Sequence, residues 1–252
     1  MCENEAYGIK RYGSREDVEA LTAAGMYEYW QNALKNSRVE VMMLGSSKPN
    51  MAQKIIAERF SQLQRRVPEI KTEIIKTSAK VKSVTETSDI AQAKLVMGFR
   101  TASAEPEDDT VPMSLTVAIL GGTPSSKFFL NVREKLSLCY YCAARFDKLK
   151  GIVIVDSGVE KENIQRTVEE IKNQLADMQK GNITDFEINS AKLALANNLK
   201  SSQDTLSGTE AWYIGQMLDR KLSTVDEVVN ALNSVTKETI VKLANTIKLD
   251  TV

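Results

Sequence analysis

Histidine is absent from this sequence: there is none among 252 residues. That closes several routes at once. Ser-His and Cys-His catalysis both need the imidazole as base, and the commonest catalytic zinc sets need it as ligand. Net charge is absent too. Lys plus Arg number 33 and Asp plus Glu number 33, so the formal charge is zero. Broad binding to nucleic acid or to an acidic membrane surface wants a positive excess. Neither is expected here, although a local basic patch stays open. No apolar run approaches the roughly 20 residues that span a bilayer. The start, MCENEAYGIKRYG, carries acids and no apolar core, so it does not read as a secretory signal. These absences together give a cytoplasmic protein as the expectation.

Cysteine is scarce, with Cys2, Cys139 and Cys142 only. An odd number without a secretion signal fits free thiols in a reducing compartment. Cys139-x-x-Cys142 could be half a zinc site or a redox pair. A zinc site needs four ligands, and the chain has no histidine and one remote cysteine to add. A redox pair normally opens a helix, whose dipole lowers a thiol pKa. This one enters a run of strand formers. The two thiols therefore read as small, semi-buried side chains.

What is present is ordinary for a globular protein: 42% apolar and 26% charged residues. The length allows one large domain or two modest ones. Ser14 and Thr22 sit where caps for two helices over 14–36 would sit, with Met26, Tyr29, Trp30 and Leu34 on one apolar face expected in a core. Residues 39–44 read as a strand. Pro49 suits the first turn of a helix carrying Ile55, Ile56, Phe60 and Leu63. Residues 65–88 are polar and read as a linker, with edge strands at 72–75 and 81–85. Residues 94–100 are a strand. The acids Glu105, Glu107, Asp108 and Asp109 lack the spacing of a calcium loop and read as a helix-starting turn.

The centre of the chain is residues 117–158. An apolar helix ends in Gly121-Gly122, where glycine suits a left-handed C-cap. Ser125 or Ser126 can cap the next helix, which holds Arg133 and Glu134. Two strand-forming runs follow, joined by Asp-Lys-Leu-Lys-Gly, and predict a hairpin. Tyr141 alternates to the opposite face from Tyr140 and is expected in the core. Beyond it the chain is helical. Ile164, Val168, Ile171, Leu175 and Met178 make one stripe, ended by Gly181. Thr184 with Glu187, and Thr224 with Glu227, are capping boxes, and Thr236 opens a last helix through Ile247. Ser14-x-x-Asp17 and Ser223-x-x-Asp226 hint at an internal repeat.

Residues 120–140 read L-G-G-x-x-S-S-x-x-F-x-x-V-R-E-K-x-x-L-x-Y when reduced to their fixed types. This string resembles the second domain of the pitrilysin/insulinase zinc peptidases, on the mitochondrial-processing-peptidase side and nearest its bacterial YmfF-like members. The resemblance runs weakly over nearly the whole chain. The family's H-x-x-E-H is absent. The resemblance implies an α+β fold, an antiparallel sheet with helices packed on it, metallopeptidase-like. It implies the C-terminal part of a first domain over 1–70, a linker and edge strand over 71–90, and a second domain over 91–252. Both ends are expected to fall inside longer relatives.

The resemblance also implies a site. Arg133 ends a predicted helix and Tyr140 begins the next strand, seven residues on. In the zinc peptidases an Arg and a Tyr at this spacing contact the substrate backbone, so Arg133 and Tyr140 are the substrate-binding expectation. An arginine fork and a phenol can hold a peptide carbonyl or an oxyanion. The bland alternative is an Arg paired with a neighbouring carboxylate and a Tyr packed at the surface. No residue is assigned as catalytic or as a metal ligand. Zinc is expected only on a catalytic half, if there is one. The expected function is a non-catalytic part of a peptide-binding chamber. Its partners would be a peptide, and a homologous half or a second copy. A purely structural or assembly subunit is the alternative.

Overall fold

The structure, a computed structural model, describes residues 1–3, 5–46, 48–69, 73–78, 80–87, 89–106, 108–219 and 221–252. In chain order its elements are α1 (Arg15–Glu19), α2 (Ala23–Asn36), α3 (Pro49–Ser61), β1 (Ala93–Arg100), α4 (Val111–Val117), β2 (Cys139–Asp147), β3 (Ile152–Val159), α5 (Ile164–Gln179), α6 (Asp185–Ser201), α7 (Leu206–Ile214), α8 (Val225–Ser234), α9 (Lys237–Ala244) and β4 (Lys248–Thr251). Two π-helical stretches, Ala118–Gly122 and Phe128–Lys135, follow α4. The chain divides into two units. One takes Met1, Ile74–Thr205 and Leu218–Val252; the other takes Cys2–Glu73 and Leu206–Met217.

The larger unit is the expected α+β arrangement: a four-stranded sheet of order β2-β3-β1-β4, antiparallel throughout. The apolar run in β1 buries Met97 and Phe99 in the core with Phe128, Ile171, Met178 and Ile240. The α5 stripe forms as its spacing dictates, with Val168, Ile171, Leu175 and Met178 buried. Gly181 ends it at φ +83°, in the left-handed region that costs glycine no Cβ clash. Thr184 and Thr224 form the capping boxes with Glu187 and Glu227. The hairpin turns on Asp147, whose Oδ1 accepts from the N–H groups of Leu149 and Lys150. Among the described residues no helix is long and apolar enough to cross a membrane.

Several expectations change. Gly121 and Gly122 end a helix, but neither has a positive φ. Gly121 is needed for close approach: a Cβ there would lie 2.4 Å from the Phe128 ring and 2.8 Å from the Ala144 nitrogen. The last helix stops at Ala244, and β4 follows, a strand that the pattern Lys-Leu-Asp-Thr does not announce. Residues 81–85 do meet the sheet, by a parallel bridge from Lys82 to Thr251. The expected strand at 72–75 begins at Thr72, outside the described residues, as is Glu107 of the acidic turn. Tyr141 is half-buried rather than core: it faces outward, beside Gly158, with Lys94 Nζ 5.0 Å from its ring centre. The repeat also loses a match, because Thr224 rather than Ser223 caps α8.

In the smaller unit, Ser14 and Asp17 form a capping box and Thr22 caps α2. Arg65 donates to the carbonyls of Leu34 and Ser37 at 2.9 and 2.6 Å, closing the free end of α2. Residues 39–44 join no ladder, since a strand needs a partner edge and not only β-forming residues. The aromatic face expected in a core is open: Tyr29 is 71% and Trp30 52% exposed, and α2 buries no residue.

Candidate functional site

Arg133 and Tyr140 do come together. The π-helical stretch Phe128–Lys135 ends in a widened C-cap. Ser137 N–H bonds to the Arg133 carbonyl at 3.1 Å, and Leu138 N–H to that of Val132 at 3.1 Å. This is a Schellman-like closure with one more residue inside each loop, as the wider helix requires. Its left-handed position is filled by Ser137 at φ +49° rather than by glycine. Ser137→Gly should therefore raise stability by about 0.5–1 kcal/mol, read as a higher urea midpoint, because a Cβ in this region is disfavoured. No gain on that substitution would count against the strain.

The chain reverses at this cap and enters β2. Arg133 Nε donates to the Tyr140 carbonyl at 2.8 Å and Nη1 to Glu134 at 2.9 Å. The guanidinium carbon sits 4.8 Å from the centre of the Phe129 ring. That sets the cation over an aromatic face. Among the described residues Nη2 has no partner. Tyr140 is 59% exposed and gives its hydroxyl proton to Glu160, which lies just after β3. That bond, then the negative charge of Glu160, raise the phenol pKa above its ordinary value.

These side chains line one open cleft of about 440 Å³, walled by Arg133, Glu134, Ser137, Leu138, Cys139, Tyr140, Glu160 and Asn163. The partners of Arg133 and Tyr140 are exposed groups, not buried pairs. The phenol does not act as an extra donor, as the sequence suggests. Its proton is committed, so its oxygen is left to accept. Arg133 lines the same cleft, with Nη2 open to donate. One donor and one acceptor at a cleft rim match the N–H and C=O of an extended peptide. Glu160 and Asn163 could not be found from the sequence. They lie beyond the hairpin, and only the pairing of β2 with β3 brings them back.

The cleft does not suit a catalytic zinc. Among the described residues no group of three His, Cys, Asp or Glu side chains converges to hold a metal ion. The thiol of Cys142 is buried and turned to Cys139.

The family described as the peptidase M16 inactive domain matches residues 20–195. The chain is 30% identical over 251 residues to the "Probable inactive metalloprotease YmfF" of Bacillus subtilis, covering 100% of this chain and 59% of that protein. It is 24% identical over 246 residues to the "Uncharacterized zinc protease YmxG" of the same organism, covering 96% of this chain and again 59% of the relative. It thus spans about 59% of the length of these curated relatives. Its fold is that of a conserved protein from Enterococcus faecalis, with TM-score 0.79 at 24% identity, covering 96% of this chain and 57% of that one. It is also that of a peptidase M16 inactive domain from Pseudomonas fluorescens, with TM-score 0.77 at 18% identity, covering 97% of this chain and 59% of that one.

Proposed function

The chain belongs to the peptidase M16 inactive-domain family, and on that premise we propose that it forms a non-catalytic wall of a peptide-binding chamber. Arg133 and Tyr140 grip the backbone of an extended peptide there. The observation that supports this reading is the shared open cleft, lined by both side chains, with the Arg133 Nη2 unpaired among the described residues and the Tyr140 hydroxyl proton given to Glu160. Any zinc chemistry belongs to a separate catalytic half, and the working assembly pairs this chain with such a half or with a second copy in the cytoplasm.

Fluorescence anisotropy with a labelled unfolded peptide tests the reading. Arg133→Ala should weaken binding about tenfold or more, since a hydrogen bond to a charged group is lost. Tyr140→Phe should weaken it less, because only an acceptor goes. Chelators should change nothing. A purified chain that cleaves the peptide and is stopped by chelators would overturn the proposal.

A second reading is favoured by a different observation, the open aromatic face of α2. On that reading the chain is an assembly subunit without substrate contact. Absence of peptide binding, with Arg133→Ala indistinguishable from the parent, would select it.

A further inference from the structure

Cys139 opens on the cleft, and its sulfur has company. Cys139 pairs with Val159, Tyr141 with Gly158 and Cys142 with Ser157, so Tyr140 is an extra residue in β2. In a regular strand, residues three apart point to opposite faces. One extra residue cancels one alternation. The bulge therefore turns Cys139 to the side of Cys142. The two thiols share one face of β2, Cys142 lies opposite Ser157, and Arg133 lines the same cleft wall as Cys139. The pair is unequal. Cys142 is buried, while Cys139 is partly exposed and lines the cleft.

We propose that Cys139 is a nucleophilic thiol, a site of reversible S-thiolation by small disulfides that enter this cleft. The Cys139 thiolate attacks one sulfur of a disulfide R–S–S–R. A new S–S bond forms to Cys139 and the old one breaks. The second sulfur leaves as RS⁻ with the bonding pair and takes a proton from water. No other oxidant is required, and a free thiol reverses the step.

The surroundings favour that thiolate. The neighbouring Cys142 thiol acts most strongly, burial opposes it, and the Ser157 hydroxyl and the Arg133 charge add to it; together they bring the Cys139 pKa down to about 7. Cys142 is held as a thiol by the Cys139 sulfur beside it and by burial, with the charges of Cys139 and Asp156 adding to the effect. The other ionisable groups of the wall are already engaged: Glu134 with Arg133, and Glu160 with Tyr140. Two thiols that read as inert in the sequence thus become a nucleophile and its supporting donor.

The inference does not need the peptide reading, because the reaction is followed on the free chain. The folded protein is treated with 2-hydroxyethyl disulfide, a neutral probe, over a pH series. The modified cysteine is located by mass spectrometry of its peptides. Cys139 should be modified first. Its rate should reach half-maximum near pH 7, where an ordinary thiol does so near 8.5. At pH 7 its rate should exceed that of a free thiol about threefold, the gain in thiolate being partly offset by lower nucleophilicity. Cys139→Ser should abolish the reaction. Cys142→Ala should move the midpoint upward, and Cys142→Ser, which keeps a donor, should move it less. A wild-type midpoint below about pH 8 with Cys139 modified first supports the assignment. A midpoint at or above that value, or Cys2 or Cys142 modified ahead of Cys139, overturns it, and neither result depends on how the variants fold.

Discussion

Asp250→Ala is expected to cost the sheet-bearing unit about 3–5 kcal/mol, the usual loss when one partner of a buried ion pair is removed. The Arg100 side chain is 3% exposed and that of Asp250 5%, with Nε 2.7 Å from Oδ2. Arg100 also donates to the carbonyls of Ile75 and Met1, each at 3.0 Å. One guanidinium therefore fastens β1, β4 and two non-adjacent stretches of chain. Without the carboxylate, a full positive charge stays buried without the Asp250 counter-charge, and the neutral carbonyls of Ile75 and Met1 offset only part of its desolvation. Asp250→Asn keeps the shape and one acceptor and should lose less. In urea the alanine change should lower the midpoint by about 2 M, taking a slope of about 2 kcal/mol per M. A drop under about 0.5 M would show that the pair contributes little.

The same pair sets an acid limit. Burial pushes the Asp250 carboxyl up, but the bonds from Thr251 and Arg100 and the Arg100 charge outweigh it, so its pKa lies below the ordinary value. A carboxyl held low adds stability above its unfolded pKa of about 4, and loses that stability as pH falls through the folded value. Wild type should therefore lose stability below about pH 4, and Asp250→Ala should lack that part of the slope.

Glu187→Ala should cost about 3 kcal/mol or more, because one carboxylate does two jobs. Its Oε1 lies 2.9 Å from Lys127 Nζ, with the side chains 10% and 7% exposed. Its Oε2 accepts from the Thr184 N–H at 2.8 Å and from the Thr184 hydroxyl at 2.9 Å. The change removes the side-chain half of the α6 capping box, leaving the Thr184 N–H without that acceptor, and strands the Lys127 ammonium. Lys127 directly precedes the stretch Phe128–Lys135 that carries Arg133. Lys127→Met removes the charge instead and leaves the cap intact, so it should cost less. Equal losses for the two variants in urea unfolding would contradict this division of labour.

The parts legible in the sequence are those set by neighbours in the chain. Ser14, Thr22, Thr184, Thr224 and Thr236 cap helices because a hydroxyl three residues upstream reaches a free N–H. The α5 stripe is legible for the same local reason. Arg133 and Tyr140 could be placed on one rim because a single sharp turn separates them. What escaped depends on distant pairing. β4 is a strand because β1 offers it an edge, and residues 39–44 are not one because they pair with nothing in a ladder. Tyr140 becomes a bulge only against the register of β3, and that register brings Cys139 to Cys142 and Glu160 to Tyr140.

The most direct measurement is an NMR titration of the ¹⁵N-labelled chain with an unfolded peptide, following the Arg133 Nε–H and the backbone amides from Ser137 to Tyr140. The account predicts that these signals shift together and saturate with the binding curve. Peptide binding that leaves them unmoved while signals elsewhere shift would contradict it.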